Sequence, residues 1–155
     1  PIIVLFFILT NFVNAEEYQG IVTRVIDGDT IDVKIANDII KRVRLRYIDA
    51  PEKDQLFGKE STDFLKKNVL EKIVIINTEY KDRFKRDIGD IFIYDKNIAI
   101  YINAKLIKSG NAWVYKKYRK NNYLMNLENH ARINKMGLWK TLVPVEPWVY
   151  RKEKR

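Results

Sequence analysis

The chain contains no cysteine and a single histidine, His130. The first absence excludes disulfides, thiol catalysis and thiolate-ligated zinc. It leaves the compartment open, because a domain of this size holds together without cross-links. The second excludes zinc sites with several imidazole ligands, and hydrolytic centres that combine a histidine base with histidine ligands. His130 lies in the polar stretch from Asn126 and reads as a solvated helix residue. Internal repeats, low-complexity tracts and a second region of domain size are also missing. So is a long apolar run: crossing a bilayer takes roughly 20 residues, and the apolar stretch at the start of the chain is shorter than that.

What is present points to one basic globular domain. The 155 residues suffice for a single core, and 46% of them are hydrophobic, a folded rather than a disordered composition. Lys and Arg number 29 against 20 acidic residues, a net charge of +9 that draws polyanions, chiefly nucleic acid or anionic membrane. The run Pro1–Leu9, followed by the small-residue sequence Val13-Asn14-Ala15, reads as the apolar part of a secretory signal without its basic start. Residues 1–15 are therefore expected to be a signal-peptide remnant, 16–140 the functional domain and 141–155 a basic C-terminal tail, with the mature protein secreted or periplasmic. An uncleaved, membrane-anchored form is the lesser alternative.

After Glu16 the pattern is that of strands. Tyr18–Ile26 is rich in β-branched residues, and Asp27-Gly28 signals a turn. Ile31, Val33 and Ile35 alternate with Asp32 and Lys34; Val43, Leu45 and Tyr47 alternate with Arg42, Arg44 and Arg46. Three strands with short turns make a meander, ended by Pro51. A helix is expected from Gly58 to about Leu70, a buried strand at Ile73–Ile76, a charged hairpin loop at Asp82–Asp87 and a strand at Gly89–Tyr94. Ile100, Ala104 and Ile107 sit at helical spacing before Ser109-Gly110, and Asn121-Asn122 can cap a last helix that Gly137-Leu138-Trp139 closes. Strands with helices between and after them fit a small closed barrel with helices outside, an α+β, mainly β fold.

Three stretches carry the chemistry: Val25–Thr30, Arg44–Glu52 and Asp82–Arg86. A phosphodiester resists hydrolysis because its charge repels the nucleophile, and its transition state gathers more charge still. A catalyst must supply positive charge, a base for water, and geometry. Asp29, just after the first turn, and Asp49, at the end of the third strand, can hold a divalent cation through hard carboxylate oxygens. Glu52, across the Pro51 bend, is placed to act as a general base. Asp27 reads as a turn former or as support for Asp29. Arg44 and Arg86 can fork onto phosphate, although spacing alone does not select Arg44 over Arg42 and Arg46, which read as solvated strand charge. Phe84, Tyr115, Lys116, Lys117, Tyr118 and Arg119 interleave aromatic and basic groups, a pattern suited to stacking bases and meeting phosphates. Trp113 and Tyr115 also suit a core.

With these motifs in order, the chain resembles the staphylococcal nuclease-like (thermonuclease) family from about Tyr18 to Trp139. The resemblance implies a five-stranded oligonucleotide-binding (OB-fold) barrel with three helices. It also implies calcium-dependent endonuclease action on DNA and RNA that leaves 3′-phosphate ends. It makes Asp29, Asp49 and the backbone carbonyl of Ala50 metal ligands, and Glu52 the base. Arg44 and Arg86 would hold the reacting phosphate, with Phe84 and Tyr118 in contact with substrate; Lys116 belongs to the same expected surface. Calcium rests on the likeness, since two carboxylates suit Mg2+ as well. Ala50 stands where a threonine is found in the best-known member, Phe84 replaces a tyrosine, and Lys85 occupies a position where glycine is common. The expected partner is DNA or RNA, acted on by a monomer. The alternative is a non-catalytic OB-fold nucleic-acid-binding module, for which the charge and the aromatic-basic stretch would suffice.

Overall fold

The computed structural model describes residues 15–155, so the apolar run at the start of the chain lies outside the described residues. The elements follow in the order β1 (Glu16–Asp27), β2 (Thr30–Lys34), β3 (Ile40–Leu45), β4 (Ile48–Asp49), α1 (Gly58–Val69), β5 (Ile73–Lys81), β6 (Asp87–Asp95), β7 (Ile98–Tyr101), α2 (Ile102–Lys108), β8 (Trp113–Val114), α3 (Asn122–Ile133) and α4 (Pro147–Glu153).

The meander read from the alternating runs is present: β1 pairs antiparallel with β2, and β2 with β3. β1 carries register shifts between Val22 and Arg24 and between Val25 and Asp27. Such bulges bend a strand and increase its twist, so β1 serves both β2 and β5. β5 pairs antiparallel with β6, and β3 meets β6 in parallel, Val43–Leu45 alongside Asp87–Gly89. The circuit β1-β2-β3-β6-β5 is a closed five-stranded barrel, with β7 added at the free edge of β6. Val22, Ile31, Val33, Val43, Val74, Ile76 and Ile91 fill it and are fully buried. Each such side chain contributes about 1.5–3 kcal/mol when withdrawn from water.

Among the described residues four α-helices pack around the barrel, where about three were expected. α1 turns Ser61, Leu65 and Val69 inward at four-residue spacing. α3 starts at Asn121, whose side chain accepts the Leu124 N–H at 3.1 Å, the cap anticipated from the sequence. The additional helix is α4. It lies in the segment read as a basic tail and begins at Pro147, a residue pre-shaped for the first helical turn.

Several boundaries differ from the sequence reading. β3 ends at Leu45 because Tyr47 adopts a left-handed backbone, φ 71°. β5 runs on to Lys81 and β6 starts at Asp87, which shortens the charged loop between them. Arg46 is not a solvated strand charge. It is buried between Glu79 (3.3 Å) and Asp90 (3.5 Å), because the strand has ended and the side chain now turns against β5 and β6. Its carbonyl, like that of Gly89, is met by the side-chain amide of the fully buried Asn103, which seals the junction where β3 and β6 pair.

Two close-packed features tie the C-terminal segments to one another. Glu128 of α3 has no solvent exposure and accepts from the Val114 N–H (3.0 Å), from both terminal nitrogens of Arg119 and from Arg132. Gly110 and Gly137 press together: a side-chain carbon on Gly137 would stand 2.2 Å from the Gly110 carbonyl, and both residues have positive φ. This close approach explains the glycine in the closing Gly137-Leu138-Trp139 motif.

Candidate active site

The turn between β1 and β2 delivers Asp29. Asp27 accepts the Asp29 N–H at 3.0 Å, so it shapes the turn and supports Asp29 as the sequence suggested. Gly28 is there for space: a side chain on it would meet Ser61 Oγ at 2.3 Å and Ala50 Cβ at 2.6 Å. The turn is thus pressed onto α1 and the end of β4. Asp29 Oδ2 accepts the Ala50 N–H at 2.8 Å, and Asp29 Oδ1 accepts the Thr30 hydroxyl at 3.0 Å. Asp49 is placed by the β4–β8 pairing, where it faces Trp113. Both carboxylates are buried.

Arg44 joins them. Its Nη2 stands 3.2 Å from Asp29 Oδ2 and 3.2 Å from Asp49 Oδ1, while its Nη1 donates to the carbonyls of Leu45 and Ile48 at 3.0 Å each. The strand register separates it from its neighbours. Arg42 is spent on Asp32 outside the barrel at 2.7 Å, and Arg46 is buried in its own ion pairs. Spacing could not make that distinction; three-dimensional placement does.

Glu52 lies beyond the Pro51 bend and is half-exposed. Its backbone is held by Gln55, whose Oε1 accepts the Glu52 N–H at 3.0 Å. Gly58 passes so close that a side-chain carbon there would sit 1.8 Å from the Glu52 carbonyl. Burial pushes the Asp27 carboxyl up to about 7, helped by the charge of Asp29. Burial also raises Asp49, against the opposing pull of Arg151 and with the Asp29 charge adding to it.

All these groups line one open cavity of about 720 Å³, together with Arg86, Phe84, Lys116 and Tyr118. Asp29, Asp49, Ala50, Glu52, Arg44, Arg86, Phe84, Lys116 and Tyr118 are thus brought to one place. Arg86 is aimed by Asp82, which accepts from its Nε at 2.7 Å and from its backbone N–H at 3.0 Å. Lys85 holds φ 62° in the same loop, a left-handed backbone that accounts for a position where glycine is common. Phe84 is exposed, with the guanidinium carbon of Arg86 5.4 Å from its ring centre. Tyr118 packs edge-on against Tyr47 and its hydroxyl meets that of Tyr80 at 3.3 Å; burial and that contact push it up to about 12. Arg119 does not face the cavity lining. It is committed to Glu128, so its place in the aromatic-basic stretch is structural.

One participant was not foreseen. Arg151 of α4 reaches Asp49 Oδ2 at 2.7 Å through Nη2, and through Nη1 it reaches Asp49 Oδ1 at 3.1 Å and Glu52 Oε1 at 2.7 Å. Only the basic character of the tail hinted at it; no local pattern ties residue 151 to residues 49 and 52.

Among the described residues no group of three or more His, Cys, Asp or Glu side chains stands ready to enclose a metal ion. The two buried carboxylates that flank a single guanidinium nitrogen are nevertheless the hard oxygen donors a divalent cation takes.

The closed five-stranded barrel is the OB-fold expected from the sequence. Residues 42–141 match the family model described as staphylococcal nuclease homologue, and the chain belongs to that family. It is 39% identical over 148 residues to a protein of Escherichia coli O157:H7 named "Uncharacterized endonuclease", covering 96% of this chain and 94% of that one. It is 34% identical over 143 residues to the "Micrococcal nuclease" of Shigella flexneri, covering 88% of this chain and 82% of that one. To the "Staphylococcal-like nuclease CAN1" of Arabidopsis thaliana it is 39% identical over 114 residues, which are 74% of this chain and 34% of that protein.

Proposed function

We propose that this nuclease is a secreted or periplasmic, divalent-cation-dependent endonuclease that hydrolyses DNA, RNA or both and leaves 3′-phosphate ends. The observation that carries the proposal is the position of Arg44 Nη2, 3.2 Å from both Asp29 and Asp49, in a cavity that also holds Glu52 and Arg86. Asp29, Asp49 and the carbonyl of Ala50 would hold the cation, calcium by family likeness and magnesium as the alternative. The ion would supply positive charge beside a phosphoryl oxygen.

The chain's own groups do the rest. Arg44 and Arg86 fork onto the phosphoryl oxygens and hold the charge that builds there. Glu52 takes a proton from water as the water oxygen bonds to phosphorus; the bond from phosphorus to the 5′-oxygen breaks, and the departing 5′-oxygen takes up a proton from solvent. That cleavage leaves the phosphate on the 3′ side and a 5′-hydroxyl. Phe84 and Tyr118 offer faces for bases, and Lys116 adds charge along the track.

The test is digestion of plasmid and single-stranded DNA with calcium, with magnesium, and after addition of a chelator. Cutting that needs the cation and yields ends directly labelled by a 5′-kinase supports the proposal. Cutting indifferent to chelator, or no cutting with either metal, overturns it. Salt-dependent binding without turnover would instead favour a binding-only barrel. N-terminal sequencing of protein recovered from the medium or periplasm tests export and removal of residues 1–15.

A further inference from the structure

Arg151 engages Asp49, one of the two carboxylates proposed to hold the cation. Its guanidinium uses both oxygens of Asp49 and one of Glu52. Asp49 Oδ1 is shared with Arg44 as well, at 3.2 Å. In this arrangement the buried carboxylate is fully engaged by guanidinium groups, and the candidate base is paired with a cation.

The contact is built into the fold. Pro147 is buried at the start of α4. Trp148 packs edge-on against Trp113 (5.9 Å between ring centres) and against Tyr115 (6.1 Å). Tyr150 donates its hydroxyl to the Asp54 carbonyl at 3.0 Å, and Lys154 pairs with the Asp54 carboxylate. Gln55, which steadies Glu52, also donates to the Val145 carbonyl at 2.7 Å. The anchors of the helix and the anchors of Glu52 are thus the same loop. Arg151 remains more than one-third exposed, with Lys152 and Arg155 beside it on the wall of the cavity.

We infer that Arg151 and the divalent cation are alternative occupants of Asp49, so that metal binding hands the α4 guanidinium over to the substrate groove. This rests on the reading of Asp29 and Asp49 as the cation site. A divalent ion brings twice the charge of a guanidinium to Asp49 and displaces Arg151 by mass action. Released, Arg151 frees Glu52 to accept a proton and stands with Lys152 and Arg155 facing a phosphate backbone. Without metal, Arg151 stays paired with Asp49 and Glu52 and is withheld from phosphate.

The inference predicts effects of opposite sign from one substitution. Charge-assisted hydrogen bonds contribute about 1.5–3 kcal/mol each, so Arg151→Ala should bind calcium about tenfold to a hundredfold more tightly by isothermal titration. At saturating calcium, the same variant should show a KM for single-stranded DNA raised by about tenfold. Arg151→Lys should restore part of both effects. In the wild type, calcium should speed hydrogen exchange of the α4 amides. Equal calcium affinity of wild type and Arg151→Ala, or α4 exchange untouched by calcium, would overturn the inference while leaving the nuclease reading in place. Absence of calcium and magnesium binding in both chains would remove the cation site and the inference together. If Arg151→Ala is poorly folded, Trp148→Ala, which loosens the anchor while keeping the guanidinium, should also tighten calcium binding; unchanged affinity there counts against the competition.

Discussion

Asp29 Oδ2 accepts the backbone N–H of Ala50 across 2.8 Å, and this bond ties the first turn of the barrel to the end of β4. The same carboxylate repels Asp27 and Asp49. Structure and repulsion therefore oppose each other at one residue. Asp29→Asn keeps an acceptor for Ala50 and removes the charge. Without metal it should melt at or above the wild-type temperature. It should also lose the calcium-dependent rise in melting temperature that a bound ion confers. A clear drop in metal-free stability would mean that the carboxylate is held mainly by its cations.

Arg44 meets two carbonyls and two carboxylates with one planar group. An ammonium has no fork to reproduce this. Arg44→Lys should lower kcat by about 10²-fold or more, read by steady-state cleavage of a labelled oligonucleotide. Retention of near wild-type turnover would dismiss the forked contact as a catalytic feature.

Glu52→Gln preserves size and a hydrogen bond to Arg151 but cannot accept the proton. Turnover should fall by about 10²–10⁴-fold, while the affinity for an oligonucleotide at matched salt changes little. Comparable losses in both quantities would instead assign Glu52 to positioning.

Glu128 is remote from the chemistry yet holds β8, Arg119 and Arg132 together from a fully buried position. Glu128→Ala leaves an amide and two guanidinium groups short of a partner. Because Arg119 and Arg132 are each about one-third exposed, part of that cost is recovered by water. The expected loss is about 2–3 kcal/mol in urea unfolding.

Asp32 is buried between Arg24 and Arg42, and its hydrogen bond with Arg42 holds its carboxyl below the usual carboxylate range. A depressed folded value means stability present above the ordinary Asp value of about 3.9 and lost as pH falls through the folded value. Asp32→Asn should therefore be less stable than wild type by about 1–2 kcal/mol at pH 7, a gap that closes as the pH drops below about 4. A gap independent of pH would place the effect in packing.

The sequence by itself determined the parts that depend on local chemistry. Alternation in β2 and β3, the Asp27-Gly28 turn and the Asn121 cap follow from side-chain period and backbone preference over a few residues, and each is present. The candidate acidic and basic residues could be named because their motifs are short and contiguous, and the fold gathers them at one cavity. Tertiary structure alone decided the distinctions that depend on where distant segments meet. It separated Arg44 from Arg42 and Arg46 through the register of β3 against β2 and β6. It committed Arg119 to Glu128, and it folded a basic tail into α4 so that Arg151 meets Asp49, 102 residues earlier in the chain. Ion pairs across such separations leave no periodic trace, because the charge that completes them is fixed only when barrel and helix have packed.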